Sequence, residues 1–444
     1  MFFQFYRVSY ERVLTWIKLP IGFSKVKMFG LAFNRNASYS EIRMTTTGQS
    51  KWRPLSYGTL LFICCGVAFA GYLGSNMRLP VVPLYAKSIG ADTVLIGIIN
   101  SAFLLTAGIL SLPLGIISDR FGRKLFASLG LVLLTITSFL LYFSRTPMQL
   151  LWIYLFFGAG VAAFGPTMMA FVADFSPPTH LGRSYGWYTT ALYTSMSLGP
   201  AIGGFIAEQS GFLEVFFISG IIIFVTFWVV VFFLPPTHVI IAERPKKEKT
   251  SVIMKELLKN RPLLSCWLVT LGGCFALGMF ITFLPLHAQN QNLTIWQIGL
   301  VFAVQGICNA ISRIPFGHLS DKVKNRSTLV VIGLIGFAAS MAGFGISTRV
   351  IHFVSFAVAF GISMGLAFTS IGALIAEVVP VESRGLAMGG YNTCIYFGMM
   401  ISSASMGPII KKIGFESGFL ITAVINLLLV GFFYLLMKEF SRTQ

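Results

Sequence analysis

The sequence predicts an all-α membrane protein in which twelve transmembrane helices form two pseudo-symmetric six-helix bundles. Three observations lead to this fold class: an apolar composition, twelve recurring apolar stretches and an internal repeat. Of 444 residues, 55% are hydrophobic and only 11% are charged, whereas a soluble domain carries about 25% charged residues. Twelve spans of about 20 residues would take up about 240 apolar residues. The composition therefore excludes a soluble enzyme, a disulfide-bonded secreted domain and a disordered chain.

The recurring apolar stretches define the twelve predicted helices in chain order. Each stretch has about 20 residues or more, which is enough to cross a bilayer. A segment inside lipid must bond its own backbone groups, so each stretch is predicted to be helical. The predicted helices cover residues 56–86, 93–114, 125–144, 149–174, 185–207, 213–234, 263–288, 295–316, 327–346, 350–376, 385–410 and 416–437.

The predicted helices divide the chain into five segments. Residues 1–53 form a basic N-terminal extension with three interpretations: a disordered or interfacial segment, a targeting peptide, or a mis-assigned start codon. A short polar lead after Met44 favours the start-codon interpretation. The other predicted segments are the N-terminal bundle (54–234), a basic cytoplasmic linker (235–262), the C-terminal bundle (263–438) and a cytoplasmic tail (439–444).

Basic residues outside the predicted helices are distributed unevenly between the two sides of the membrane. An even number of helices places both termini on the same side. The loops on that side carry most of the Lys and Arg residues, including Arg120, Arg123, Lys124 and the linker. Loops rich in Lys and Arg stay in the cytoplasm. We therefore expect a multi-pass protein of the plasma membrane (bacterial inner membrane) with both termini cytoplasmic.

The two predicted bundles repeat the same residues in register. Residues 112–119 (LPLGIISD) match residues 314–321 (IPFGHLSD), and Pro83-Leu84 matches Pro285-Leu286. Chance similarity between apolar segments does not easily align Pro, Gly, Ser and Asp in this way. Two six-helix repeats that run in the same direction are typical of transporters whose substrate site lies between the bundles near the middle of the membrane.

A polar segment connects the second and third predicted helices, and its residue types have physical uses. Gly115 permits close approach of a neighbouring helix, and Gly122 permits a tight turn. The Asp119 carboxylate can pair with Arg123 one turn away or face a helix N-terminus. Such contacts can form in one conformation of the protein and break in another, as in a gate. The alternative interpretation is an ordinary basic loop. The candidate gate residues are Gly115, Asp119, Arg120, Gly122, Arg123, Lys124, Gly317, Asp321 and Arg326.

Residues 115–124 resemble the signature loop of the major facilitator superfamily, G-x-x-x-D-[RK]-x-G-R-[RK], at every position. The second copy keeps Gly317, Asp321 and Arg326 but lacks the inner glycine. Together with the repeat, the resemblance covers residues 55–438. It implies the twelve-helix major facilitator fold and secondary transport by alternating access. It also implies that Asp119 and its cations form a gate between the halves without touching substrate.

The fifth predicted helix contains Gly199, Pro200, Gly203 and Gly204. Small residues four apart let another helix pack closely, and generic helix packing is one interpretation of this set. The pattern G-P-x-x-G-G in this helix also resembles the antiporter motif of the twelve-helix drug:proton antiporter branch of the superfamily. That resemblance implies export.

The sequence departs from the antiporter branch where proton coupling is concerned. Members of the branch usually carry an Arg four residues before a Gly in the fourth span, whereas this chain has Tyr154 before Gly158. The carboxylates near the spans fall at span ends, and a proton relay usually needs an ionisable group inside the membrane. His287 is the candidate substitute, and a packed or water-facing histidine is the alternative. Proton coupling is therefore left open.

Polar residues inside the predicted spans are the candidates for a substrate cavity. Arg78 either faces inward, as a fixed charge for an anionic substrate, or snorkels to the outer interface. Arg313 is expected to snorkel to the headgroups. Amides in spanning helices usually turn inward, although many only brace neighbouring helices. The candidate cavity residues are Asn76, Arg78, Asn100, Tyr154, Tyr188, Gln305, Asn309, Asn392 and Tyr396.

The leading functional hypothesis is a secondary transporter that exports small amphipathic or anionic metabolites or drugs. The alternatives are an organic-anion uptake carrier and a transporter-like sensor or scaffold that moves no solute. The sequence has no Walker loop and no HExxH motif, and we expect no enzymatic activity, catalytic residue, metal site or cofactor. The expected partners are a small-molecule substrate, with protons left open, and the lipid bilayer. A monomer without a nucleic-acid partner is expected.

Overall fold

The computed structural model of the chain describes residues 55–236, 250–323, 325–380 and 383–443. The predictions for residues 1–53, including Met44, and for the middle of the 235–262 linker lie outside the described residues. All regular secondary structure in the described ranges is helical. The predicted all-α fold class is therefore confirmed.

The first half of the described chain contains seven helices that make six spans. A short break at residues 78–80 separates the first two helices, which together form one span. A single turn of 3₁₀ helix, Pro178–His180, precedes the fifth span. The helices are α1 (Tyr57–Met77), α2 (Val81–Ser88), α3 (Thr93–Phe121), α4 (Arg123–Phe143), α5 (Pro147–Phe175), α6 (Leu181–Gln209) and α7 (Phe212–Phe233).

The second half begins with a short helix that precedes the remaining six spans. The last helix contains Gly414, whose φ of 82° is not helical, so this helix comprises two spans that meet at a bend. The helices are α8 (Thr250–Leu257), α9 (Arg261–Asn290), α10 (Ile295–Lys322), α11 (Arg326–Gly345), α12 (Val350–Val378) and α13 (Arg384–Thr443).

The membrane-spanning character of these helices follows from their length and composition. Ten helical segments of the described chain are long and apolar enough to cross a membrane, and one of them, Arg384–Met437, contains the bend at Gly414. The helix α6 lies outside these ten because Gly, Ser, Thr and Tyr replace much of its aliphatic content. A helix of this composition suits contact with other helices better than contact with lipid. Counting α6 and both parts of α13, the described residues make twelve spans.

Two pairs of helices carry the main contacts between the halves. In the first pair α6 packs against α10, and in the second α3 packs against α13. Within the halves, α3 packs against α5 and α10 against α12. Equivalent helices of the repeat therefore occupy equivalent places, and a central space lies between the two contact pairs.

The polar segment that is repeated in both halves was predicted as a loop, but most of it is helical. The helix α3 continues through Pro113 to Phe121, and α10 continues through Pro315 to Lys322. Helical hydrogen bonding thus extends beyond the point where the apolar pattern ends. Gly122 is the single residue between α3 and α4. Its φ of 105° favours glycine. Lys324, at the equivalent position of the second copy, lies outside the described residues.

Candidate transport site

An arginine ties together three helix ends in the first half. The Arg123 guanidinium, at the start of α4, pairs with the Asp119 carboxylate of α3 through Nη1 at 2.7 Å and with the Asp174 carboxylate of α5 through Nε. The Arg123 side chain is only 12% exposed. A guanidinium fork suits two carboxylates because it presents several donors in one plane. We call Arg123, Asp119 and Asp174 the first hub.

The second half repeats this arrangement on the equivalent helices. Arg326 of α11 pairs with Glu377 of α12 at 3.0 Å and with Asp321 of α10 at 3.7 Å, and its Nε donates to the Ser320 carbonyl oxygen. These residues form the second hub. Sequence reasoning missed Asp174 and Glu377 as hub members. A signal was present, since each lies 51 residues after its arginine.

The end of the molecule that carries the two hubs is called the motif end, and the opposite end is called the far end. Polar contacts join the two halves at the far end. Lys87 donates to the Asn290 side chain at 2.8 Å, Lys411 pairs with Asp92 at 2.8 Å, and the Trp296 backbone N–H donates to the Glu208 carboxylate at 2.7 Å.

Glycines let the halves approach closely at the far end. A methyl group added to Gly97 of α3 would overlap the Ser403 carbonyl oxygen of α13. Methyl groups added to Gly204 and Gly299 would lie 2.7 Å from the Ile295 oxygen and 2.5 Å from the Pro200 oxygen, respectively. Backbone therefore touches backbone along both helix pairs, and the far end is closed.

The glycines of the antiporter-type segment face two different neighbours. Gly199 and Gly203 face α1, where an added methyl group would lie 2.9 Å from the Asn76 Cβ atom or overlap the Met77 carbonyl oxygen. Gly204 faces Gly299 of the other half, and Pro200 lies in the same contact. The segment thus supports both the packing of the first half and the contact between the halves.

The halves diverge toward the motif end. Residues 299, 306 and 313 are seven apart and lie on the same face of α10. Gly306 still contacts Ser197 closely, but the Arg313 guanidinium stacks on the ring of Tyr193 at 4.5 Å from its centroid. Five glycines nearer the motif end would meet nothing within 4 Å if a methyl group were added, whereas Gly390 would meet Trp267 of its own half; the five are Gly115, Gly182, Gly186, Gly385 and Gly389. Among the described residues, the motif end is open.

Tyrosines from three spans lie near one another where the halves meet, and Tyr188 is packed in the core of the first half with 1% exposure. Tyr72 of α1 lies near Tyr188 and Tyr193 of α6 and near Tyr396 of α13. Tyr391 of α13 lies near Arg313 and Tyr193. We call these five tyrosines the central tyrosine cluster. Tyr188 and Tyr396 are predicted cavity residues, whereas Tyr72, Tyr193 and Tyr391 carried no signal in the sequence that separates them from packing residues.

Both cations inside the spans lie against aromatic rings. Arg313 does not snorkel as expected, because its guanidinium stacks on Tyr193 and its Nε donates to Asn309 at 3.3 Å. Arg78 is 1% exposed, and its guanidinium lies 4.1 Å from the Phe157 ring centroid. Both positions are inward-facing, which excludes the interface alternative for Arg78.

The remaining predicted cavity residues separate into packed and accessible positions. Asn76 donates to the Tyr72 carbonyl oxygen of its own helix at 2.7 Å, and Gln305 donates to the Met364 sulfur at 3.2 Å. Asn100 is buried, whereas Asn392 is exposed. Tyr154 packs against the Phe103 and Phe157 rings. The amides at 76 and 305 therefore brace helices in this conformation.

The candidate proton carrier His287 is enclosed by aromatic side chains. Its Nε2 atom lies 3.0 Å from the Phe344 carbonyl oxygen, and its ring packs against those of Phe353, Phe415 and Phe419. The residue is 1% exposed. His287 is a packed histidine, which was the alternative interpretation.

The Asp92–Lys411 pair at the far end gives a prediction for pH dependence. The Lys411 ammonium and the Leu95 backbone N–H donate to the Asp92 carboxylate and lower its pKa below the ordinary value. The closed far end thus favours ionised Asp92. This contribution is complete above the ordinary pKa of about 4 and is lost as the pH falls through the lowered pKa. We expect closure to be unchanged between about pH 5 and 8 and to weaken below about pH 4.

Electron paramagnetic resonance distances between spin labels at Arg145 and Arg349, on the far-end loops, would measure this closure. The partly exposed native cysteines would be replaced by serine. Asp92→Asn keeps an amide able to cap α3 but removes the ion pair, so it should reproduce the acid effect at pH 7. Exposed pairs contribute about 0.2–1 kcal/mol, so the population change should be less than about tenfold. If acidification changes the spin-label distance in Asp92→Asn as much as in the unaltered chain, the assignment to Asp92 is wrong.

Two six-helix halves, contacting at one end and separated at the other around a polar aromatic space, define a multi-pass secondary membrane transporter. The sequence profile of the Major Facilitator Superfamily matches residues 64–304 and 288–443. The chain belongs to this superfamily, which comprises transporters and not enzymes.

Relatives of known sequence and structure agree with this assignment. An uncharacterized MFS-type transporter of Methanocaldococcus jannaschii is 25% identical over 83% of this chain and 95% of its own length. Quinolone resistance protein NorA of Staphylococcus aureus is 26% identical over 62% of this chain and 70% of its own length. Among solved structures, the nucleoside transporter NupG superposes with a TM-score of 0.73 at 14% identity, covering 85% of this chain and 99% of NupG.

A bacterial homolog of the human lysosomal transporter Spinster, in an inward-facing and occupied conformation, superposes with a TM-score of 0.71. The two sequences are 14% identical over 87% of this chain and 98% of that structure. At this identity the likeness establishes the shared fold alone.

Proposed function

We propose that the protein exports small amphipathic or anionic solutes by alternating access. The observation that carries this proposal is the one-sided contact between the halves. Side chains and glycine backbones join the halves at the far end, whereas each hub arginine joins helices of its own half. A transporter of this kind exposes its central site to one side at a time as the halves rock. The conformation described here is open at the motif end.

We further propose that the motif end faces the cytoplasm and that both termini lie there. Arg120, Arg123, Lys124 and Arg183 all lie at this end, and loops rich in Lys and Arg stay in the cytoplasm. The conformation is then inward-facing. Solute would enter the central space from the cytoplasm and leave once the far end opens.

The chemistry of the central space supports a neutral or anionic solute. The partly exposed members of the central tyrosine cluster, Tyr72, Tyr193 and Tyr396, offer aromatic faces for an apolar body and hydroxyl groups for hydrogen bonds. Arg313 adds a positive charge. The described carboxylates closest to the spans lie instead at the two ends, in the hubs and at Asp92 and Glu208. A cation would therefore lack a counter-charge among the described central residues.

Export rests on two separate observations. The segment Gly199–Pro200 with Gly203 and Gly204 resembles the antiporter motif, and the relative NorA is a quinolone resistance protein. Proton coupling rests on this motif, since His287 is enclosed and the described spans place no carboxylate in the central space. Net solute movement under an imposed pH gradient would test coupling and direction together.

Efflux from proteoliposomes tests transport itself. We expect the full chain to release trapped carboxyfluorescein, an amphipathic anion, faster than protein-free vesicles do. Asp119→Asn should lower that rate about tenfold, because Arg123 would lose one of its two charged partners, and such a bond contributes about 1.5–3 kcal/mol. Glu256→Gln, which changes an exposed carboxylate outside the hubs, should leave the rate unchanged.

Other outcomes of the efflux experiment would contradict the proposal. If anionic, neutral and cationic dyes all leave at the protein-free rate, the chain is a sensor or scaffold. If uptake exceeds efflux under either pH gradient, the second candidate applies, an organic-anion uptake carrier. The inward-facing Arg78 favours that candidate because it supplies a fixed positive charge.

A further inference from the structure

The guanidinium of Arg78 is buried without a complete set of partners. Its Nε donates weakly to the Ser75 carbonyl oxygen at 3.4 Å, and its carbon lies over the Phe157 ring. The Nη1 and Nη2 atoms are both buried and have no hydrogen-bond partner among the described residues. Buried charges are normally paired, because removing a charge from water is costly. Stacking on one ring offsets part of that cost and leaves the outer donors unused.

The position of Arg78 connects it to the contact that closes the far end. Arg78 lies at the break between α1 and α2. Its neighbour Met77 contacts Gly203 of α6, and Gly204 contacts the other half at Ile295 and Gly299. Opening of the far end must separate Gly204 from Gly299, immediately beside Arg78. Non-helical backbone within a span is tolerated where it is buried in protein or lines a cavity.

We propose that Arg78 binds the carboxylate of an aromatic or otherwise apolar organic acid, which is the transported solute. The two unused Nη atoms belong to one planar guanidinium group. Such a group can donate hydrogen bonds to both oxygens of a carboxylate. Phe157 and Tyr154 supply an apolar wall beside it. That the bound acid is the transported solute rests on the proposed function. Carboxylate binding at Arg78 can be tested without transport.

Thermal unfolding of the purified full chain in detergent tests binding directly. Benzoate serves as the probe, and benzamide serves as its uncharged analogue of the same shape. We expect benzoate, but not benzamide, to raise the unfolding midpoint. Arg78→Met should reduce the benzoate shift at least threefold, and Arg78→Lys should retain an intermediate shift because it keeps the charge without the fork. The control Arg349→Gln removes an exposed cation and should retain the full shift.

A second readout separates ligand recognition from a structural role. Arg78→Met removes a buried charge that lacks partners, so the ligand-free variant should unfold at the same temperature as the unaltered chain or higher. An arginine that holds the fold together would give a lower midpoint. A lower midpoint together with an unchanged benzoate shift would overturn the proposal.

The remaining outcomes identify the source of the anion. Chloride would be titrated against sulfate at constant ionic strength. A chloride shift that depends on Arg78, without a benzoate shift, would overturn the carboxylate assignment and indicate an inorganic anion site. Benzoate binding that depends on Arg78, without efflux of any dye, would support this inference while the proposed function fails. Efflux that is unchanged in Arg78→Met, with no benzoate shift, would overturn this inference alone.

Discussion

Gly97→Ala is expected to leave both halves folded while it lowers transport about tenfold. The new methyl group would overlap the Ser403 carbonyl oxygen across the contact between α3 and α13, so the far end could close only if the halves moved apart. Overpacking of this kind costs about 1–3 kcal/mol, and 1.4 kcal/mol is a tenfold change in an equilibrium. Dye efflux from proteoliposomes would measure the rate.

The same variant should show a changed distribution of conformations. Spin-label distances between Arg145 and Arg349 should lengthen at the far end, and distances between Arg183 and Arg384 should shorten at the motif end. Gly66→Ala provides the control, because Gly66 is an exposed helical glycine with nothing within 4 Å of an added methyl group. An unchanged far-end distance in Gly97→Ala would exclude closure by this contact.

Gly203→Ala should have a different and larger effect, which is loss of folded protein. Its methyl group would overlap the Met77 carbonyl oxygen, and both residues belong to the first half, so no rocking motion relieves the overlap. We expect a cost of about 3 kcal/mol, at the upper end for overpacked cores, against a gain of about 1 kcal/mol in helix propensity. Size-exclusion chromatography of the detergent extract should show most of the protein aggregated.

The comparison of the three alanine variants isolates the physical cause. Helix propensity favours all three substitutions equally, so Gly66→Ala should be neutral or slightly stabilising. Gly97→Ala should elute as a single folded species with impaired transport. If Gly203→Ala also elutes as folded protein with normal transport, the close packing of α1 on α6 is not required for the fold.

The spans and the two hubs show how far the sequence could predict this structure. Apolar composition and length located all twelve spans because the bilayer imposes both on any crossing helix. The repeat located Asp119 and Asp321. It did not reveal that Asp174 and Glu377 complete the hubs. Each lies 51 residues from its arginine on another helix, so the pairing depends on tertiary packing. The end of α3 was also missed, since a helix can continue into water after its apolar pattern stops.

The central tyrosine cluster marks the limit of sequence reasoning about the site. Tyr72, Tyr193 and Tyr391 lie on three different helices and meet only after the halves assemble. One sequence cannot show which face of a span made almost entirely of apolar residues turns inward. The direction of Arg78 was similarly undetermined, because an arginine near the end of a span can reach either water or the protein interior.

The arrangement of the hubs has a consequence for how such a chain diversifies. Arg123 and Arg326 bind helix ends within their own halves, and under the proposed function we expect these ion pairs to persist as the halves rock. The contacts that must break lie at the far end, away from the central tyrosines. Under the proposed function, the far-end contacts govern turnover, whereas the tyrosines and Arg78, which adjoins those contacts, govern solute selectivity. A duplicated gene that changes only the tyrosines is then expected to acquire a new cargo at the same cycling rate, whereas a change at Arg78 is expected to alter both.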